Sequence, residues 1–393
     1  MAKANYAGTL SGVVVGFLWV ASASAASFMP LGFLPGFADK GAANAVSGDG
    51  SSVTGTVYGS PDGIYAQAFR WTAAEGMQGL GYLPNFPAGN NVSSGVDISA
   101  DGLTVAGLSS SLIGYQAYQW TGSGGITGLG NLNPTYRQSV GRGISGDGAV
   151  IVGDSLVDSG THDAFRWTLA GGMQDLGEGS AKAANYDGSV IAGNYTNSFG
   201  ESEAFRWTAG QGIVGLGRNQ SNLSVALGVS GDGSVIVGYG SSGSSPRQAF
   251  RWTESTGMAW LEPLPPAIPG EASGAVAHDV CGNGSIMVGL VERWPLNERA
   301  AIWTSPDNPQ LLSDYLVSGG ATGLSGWTLN AAVGISADCT TVVGYGLNPQ
   351  GHSEAFVANI APVPIPPAVW LLGTALAGLG GRRWLRRKIT TLS

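Results

Sequence analysis

The sequence predicts an all-β chain, a seven-bladed β-propeller of four-stranded blades. Three observations predict it. One unit recurs along the chain, with its turn residue at gaps of 40 to 55 residues. Each unit holds an Asp-Gly turn between short apolar runs. An unattached strand stands at the start, and the last unit lacks that strand.

The template for the turn is Ser145-Gly146-Asp147-Gly148-Ala149-Val150-Ile151-Val152-Gly153. Its acidic or amide residue recurs as Asp49, Asp101, Asp147, Asp187, Asp232, Asn283 and Asp338. Asp-Gly between apolar runs signals a hairpin, because both residues tolerate positive φ. It joins a strand a, ending at Gly143-Ile144, to a strand b over Val150-Ile151-Val152. A second block follows, Ala164-Phe165-Arg166-Trp167-Thr168. Phe165 and Trp167 lie two apart, so they share one face of a strand c. The Trp of this block recurs as Trp71, Trp120, Trp167, Trp207, Trp252 and Trp303, and the last copy is reduced to Ala355-Phe356. A Gly-rich turn then leads to a strand d around Met173 to Leu176.

The seam follows from the same blocks. Met29 to Pro35 resembles the d-strand run Met77 to Pro84 but precedes the first turn. The last unit ends with strand c near Phe356 to Ile360. The N-terminal strand can therefore complete the last blade and leave no open edge. An open β-solenoid and rings of six or eight blades are the alternatives.

Composition narrows the function. The chain has 393 residues, with 65 Gly, 12 Trp and only 11% charged residues. The glycines keep no triplet period, which excludes collagen. The aromatic content excludes a disordered chain, and two Cys exclude a disulfide scaffold. Residues 27–360 carry 12 Lys and Arg against all 26 Asp and Glu, a net charge of −14. That charge argues against nucleic acid as a partner, and among polysaccharides it favours neutral or cationic ones.

The two ends read as addresses. Residues 1–26 form a signal peptide: Lys3, an apolar stretch from Val13 to Val20, then small residues that place cleavage after Ala23, Ala25 or Ala26. Residues 361–393 hold a proline-rich segment from Pro362 to Pro367 and an apolar run from Ala368 to Gly381. Arg382, Arg383, Arg386, Arg387 and Lys388 close the chain. The apolar run suits a short membrane span with its basic end in the cytoplasm. An uncleaved N-terminal anchor and a plain C-terminal anchor helix are the alternatives.

The tail resembles the PEP-CTERM sorting signal, through Val363, Pro364, Pro366, Trp370, Arg382 and Arg383. No Glu stands between the prolines, so it looks like a Val-Pro-x-Pro variant, which leaves the processing enzyme and cut site open. The resemblance implies an exosortase-type processing partner and transient anchoring in the inner membrane of a Gram-negative bacterium. It also implies delivery to the cell surface or an extracellular polysaccharide matrix. The repeats of residues 28–360 resemble the HAF-repeat family of extracellular bacterial proteins, through Ala-Phe-Arg-Trp-Thr, Gly-x-x-x-Leu-Gly and Ser-x-Asp-Gly runs. That family implies a surface repeat protein with no common activity.

Candidate chemistry is sparse. No catalytic, cofactor-binding or metal-binding motif is present. Each Asp-Gly turn offers one carboxylate where calcium needs six to eight oxygens, and turn geometry accounts for the Asp. Arg70, Arg166, Arg206 and Arg251 sit between Phe and Trp, which suits packing between blades more than an anion-binding ring. His162, His278 and His352 have no metal-ligand spacing. Cys281 and Cys339 stand in turns of the same type in neighbouring units, as a candidate disulfide or as two free thiols. Tyr58, Tyr65, Tyr82, Trp260 and Trp294 are candidates for stacking on sugars, with blade core as the plainer role. The expected function is non-catalytic binding or scaffolding of a glycan or surface protein at one mouth of the ring. A carbohydrate-active enzyme with paired carboxylates and a purely structural matrix component are the alternatives.

Overall fold

A computed structural model describes residues 25–37, 40–59, 65–84, 91–112, 114–242, 246–265, 273–293 and 298–360. The sorting-signal residues Val363, Pro364, Pro366, Trp370, Arg382 and Arg383 lie outside the described residues, as do Trp294 and nearly all of the signal peptide. Among the described residues no helix is long and apolar enough to cross a membrane.

The architecture is all-β. Residues 139–178 show the unit: strand a Ser139–Ile144, b Val150–Leu156, c His162–Thr168 and d Gly172–Glu178. Each pairs antiparallel with the next. Four more separate sheets repeat this order, over residues 93–128, 180–215, 223–260 and 273–311. The remaining strands form one sheet in two halves. One half is Lys40–Val46, Ser52–Tyr58, Ala66–Thr72 and Gly76–Gly81. The other is Thr328–Ile335, Thr341–Leu347 and Ser353–Asn359, with Ser27–Pro30 antiparallel along its last strand. A lone parallel pairing of Lys40 with Ser353 joins the halves. We number these seven four-stranded groups in the chain order of their a strands. One short helix, Leu312–Ser318, follows the sixth group.

The Asp-Gly turn differs from a two-residue hairpin. Gly148 has φ 73°, while Asp147 is not among the residues with positive φ. Ser145 N donates to Val150 O at 2.8 Å, so the loop between them is longer than two residues. Asp147 Oδ1 accepts from Ser145 Oγ at 2.6 Å and from Ala149 N at 3.0 Å. Ser145 Oγ in turn accepts from Val150 N at 2.9 Å. The side chains thus satisfy backbone groups that a tight hairpin would pair directly. Asp49, Asp101 and Asp232 repeat the bracket with Ser47, Ser99 and Ser230, and Asp187 accepts from Ser189 N. Ser145 is fully buried, so Ser145→Ala is expected to cost about 1–3 kcal/mol, read as a lower urea midpoint with an unchanged slope.

The turns also bond to one another. Gly48 N donates to Ala100 O, Ala100 N to Gly146 O and Asp147 N to Tyr186 O. Tyr186 N donates to Gly231 O, Gly231 N to Gly282 O, Gly282 N to Ala337 O, and Asp338 N back to Gly48 O.

Two degenerate turns share one cause. Cys281 replaces the turn Ser of the sixth group, and Cys339 replaces the positive-φ Gly of the seventh, at φ 64°. In three other junctions that Gly lies against the Ser of the preceding turn, Gly102 on Ser47, Gly148 on Ser99 and Gly284 on Ser230. Side chains at these two places meet, and Cys281 and Cys339 are disulfide-bonded across 58 residues. Reduction is expected to lower stability by about 2–4 kcal/mol, read as a lower melting temperature in a thiol reductant.

The core lies between successive sheets. The Trp side chains of strand c are buried at Trp71, Trp167, Trp207 and Trp303 and half-buried at Trp120 and Trp252. In the seventh group Ala358 takes the Trp position. Phe28 pairs opposite it, with its ring centroid 5.1 Å from that of Trp327 and 5.6 Å from that of Phe356. This places Phe28 where strand d of the first group has Met77 opposite Trp71. The N-terminal strand therefore begins at Ser27, two residues before the resemblance to Met77–Pro84 begins.

Candidate functional site

The a strands position the site. Each carries a β-bulge, and the pairing with strand b skips Asn44, Val96, Arg142, Lys182, Leu227, His278 and Val333. A bulge re-aims the extra side chain away from the ladder. All seven residues line one cavity of about 410 Å³. The positions are equivalent and the side chains are not: three are apolar, one is an amide and three are basic.

One residue further on, five groups have Ala or Gly, while the second and sixth have Asp97 and Asp279. Asp97 Oδ1 accepts from Ile98 N at 2.8 Å, and Oδ2 from Ile144 N of the next sheet at 2.9 Å. Asp279 does the same with Val280 N at 2.8 Å and Ile335 N at 3.0 Å. Burial pushes Asp97 up to about 6 despite these bonds. Burial, with a smaller contribution from the Asp97 charge, pushes Asp279 up to about 7. These carboxylates lie toward the turn end, where a cavity of about 140 Å³ is walled by Gly48, Ala100, Gly146, Gly231, Gly282, Ala337 and Tyr186. Tyr186 is the large side chain in that ring, and its ring occupies the space a Cβ on Gly146 would need.

Toward the other end Arg142 and Lys182 also line a cavity of about 360 Å³ between the third and fourth groups. Asp154 lies there, 3% exposed and paired with Arg142. Ser180 Oγ donates to it at 2.6 Å, and His162 Nδ1 lies 3.3 Å from its Oδ2. Burial would raise Asp154, but the Arg142 bond and charge and the Ser180 bond outweigh it and hold the carboxyl below its ordinary value. Burial and the Arg142 charge push the Lys182 ammonium down to about 8, against an opposing pull from Asp154. Burial keeps His278 below its ordinary value, as does the Arg247 charge, while Nδ1 lies 3.0 Å from Ala332 O.

The residues singled out by sequence fall mostly elsewhere. His278 reaches the channel, His162 flanks its mouth, and His352 N donates to Asn348 Oδ1 in a loop. Among the described residues no group of three or more His, Cys, Asp or Glu is arranged to hold a metal ion. Arg70 lines a larger groove of about 970 Å³ with Glu75 and Trp120, between the first and second groups. Its donors are occupied by Gly102 O, Ser52 Oγ and Glu75, which makes it a clamp between sheets. Lys40 sits over the Tyr58 ring at 5.0 Å, Trp260 is half-buried against the core, and Tyr65 is exposed. The channel residues carried one unread signal: each stands three positions before the first residue of its turn.

No family model matches the chain, and no curated protein matches it. Solved structures do. The β-propeller domain of the Trilobed protease from Pyrococcus furiosus matches at TM-score 0.52 and 10% identity, over 84% of this chain and 100% of that one. A structure from a study of two prolyl endopeptidases matches at TM-score 0.53 and 11% identity, over 84% of this chain and 51% of that one. TolB from Acinetobacter baumannii matches at TM-score 0.47 and 13% identity, over 67% of this chain and 64% of that one. The likeness is one of fold. The chain has a β-propeller fold of four-stranded antiparallel sheets.

Proposed function

We propose that this chain is an exported, seven-bladed propeller, completed by its own N-terminal strand, that binds or scaffolds a glycan or protein partner at its central channel without catalysis. The pairing of Ser27–Pro30 with the last strand and the circuit of turn hydrogen bonds support the blade count and closure. One observation carries the binding reading: seven equivalent bulges aim seven side chains of mixed chemistry into one cavity. A scaffold alone needs no such variation at equivalent positions. Export and surface delivery rest on the two terminal signals. Removing residues 361–393 is expected to release the protein from the cell envelope, read by fractionation and immunoblot.

The raised pKa values of Asp97 and Asp279 favour a second reading, a carbohydrate-active enzyme with a carboxyl acid in the channel. Against it, every oxygen of both carboxylates already accepts a backbone N–H. The peptidase activity of the similar structures belongs to those proteins, and fold alone carries none of it here. A glycan-array screen of the purified full-length chain, with product analysis of each hit, tests both readings. Saturable binding with intact glycan supports the binding module. A shortened glycan would establish the enzyme instead.

A further inference from the structure

Arg142 and Lys182 are adjacent around the channel and are the residues that line both the 410 Å³ cavity and the 360 Å³ cavity at its mouth. Arg142 uses Nε and Nη2 on Asp154, with Nη2 3.4 Å from Oδ2. Its Nη1 has no acceptor among the described residues, and neither does Lys182 Nζ. Two unspent cationic donors thus face one passage. Asp154 does not compete for a ligand's place, because Arg142, Ser180 and His162 already engage its oxygens.

We infer that the channel binds a carboxylate-bearing saccharide, with its carboxylate held between Lys182 Nζ and Arg142 Nη1. The inference deepens the binding reading above and rests on it. The cavity volume is of small-molecule size. The rest of its wall alternates Asn44 and His278 with Val96, Leu227 and Val333, a mixture of polar and apolar surface that suits the hydroxyl edges and C–H faces of a sugar ring, while Asp97 and Asp279 line its turn end with their oxygens engaged by backbone N–H groups. The domain's net negative charge would repel an anion at long range, but solvent screens that repulsion beyond about 8–10 Å. Inside the channel Asp154 offsets part of the cationic charge, so the attraction rests on charge-assisted hydrogen bonds from Lys182 Nζ and Arg142 Nη1.

The test is calorimetric titration of the full-length protein with glucuronate, glucose, N-acetylglycine and inorganic phosphate, repeated on Lys182→Gln and Lys182→Arg. Melting curves check that both variants fold. Glucuronate is expected to bind the parent protein, to bind Lys182→Gln about 10–100-fold more weakly, and to bind Lys182→Arg nearly normally. Glucose is expected to bind at least tenfold more weakly than glucuronate. Equal glucuronate affinity in Lys182→Gln would overturn the inference. So would N-acetylglycine or phosphate binding as tightly as glucuronate, since either would remove the sugar or the carboxylate from recognition. Glucose bound as tightly as glucuronate, unaffected by Lys182→Gln, would overturn it and leave glycan binding standing. No binding of any ligand, with no array signal, would overturn the inference and glycan binding together.

Discussion

Replacing Phe165 with alanine is expected to destabilise the protein by about 3–5 kcal/mol. Phe165 is fully buried and stands directly opposite Gly153 of strand b. The pairing is a repeated device: Gly55 with Phe69, Gly107 with Tyr118, Gly193 with Phe205, Gly238 with Phe250, and Gly344 with Phe356. The glycine makes room for the ring, and the ring fills what the glycine vacates. A Cβ on Gly153 would fall 2.8 Å from the Phe165 ring edge and nearer still to the carbonyl of Val140 on strand a. Gly153→Ala is therefore expected to cost about 3 kcal/mol. Adding Phe165→Ala is not expected to rescue it, because the clash with a backbone oxygen remains. Urea unfolding of the two single variants and the double variant checks this. Recovery in the double variant would mean that the ring alone sets the glycine.

Acidifying from about pH 8 to about pH 5 is expected to stabilise the protein, through the two buried carboxylates of the channel. Their folded-state values lie above the ordinary 3.8, at about 6 for Asp97 and about 7 for Asp279. The folded state therefore holds protons that the unfolded chain releases. The contribution is fully present below the ordinary value and is lost as pH rises through about 6 to 7. For Asp279 the shift corresponds to an effect on the order of 4 kcal/mol. His278 works in the opposite sense, since burial holds it below its ordinary value and its protonation therefore opposes folding as the pH falls. Asp279→Asn is thus expected to flatten the rise in melting temperature between about pH 7 and about pH 5, where the folded state holds the Asp279 proton and the unfolded chain releases it. A parent protein whose melting temperature falls on acidification across that range would refute this.

Much of the fold was legible because the repeat is local. Ser-x-Asp-Gly marks a turn by its own side-chain chemistry, and Phe and Trp two apart mark a strand face wherever they stand. The N-terminal strand could be read as a strand of the d type because its residues copy one. Its register needed the structure, since Phe28 pairs with Ala358 and packs on Phe356 and Trp327, all near the far end of the described chain. The degenerate turns of Cys281 and Cys339 looked like decay of the motif. Only the packing of neighbouring turns shows that the Ser and Gly positions touch.

The channel was not legible, although its position within the repeat is fixed. Asn44, Arg142, Lys182 and His278 share no chemistry, so no pattern of residue types groups them. They also interrupt the strand period, because a bulge adds one residue to one strand alone. The sequence by itself determined the repeat, the strand order within each unit and the place of each turn, since these depend on neighbours a few residues away. The tertiary structure decided which side chains meet at the channel, because it alone brings seven bulges, each from a different unit, around one cavity.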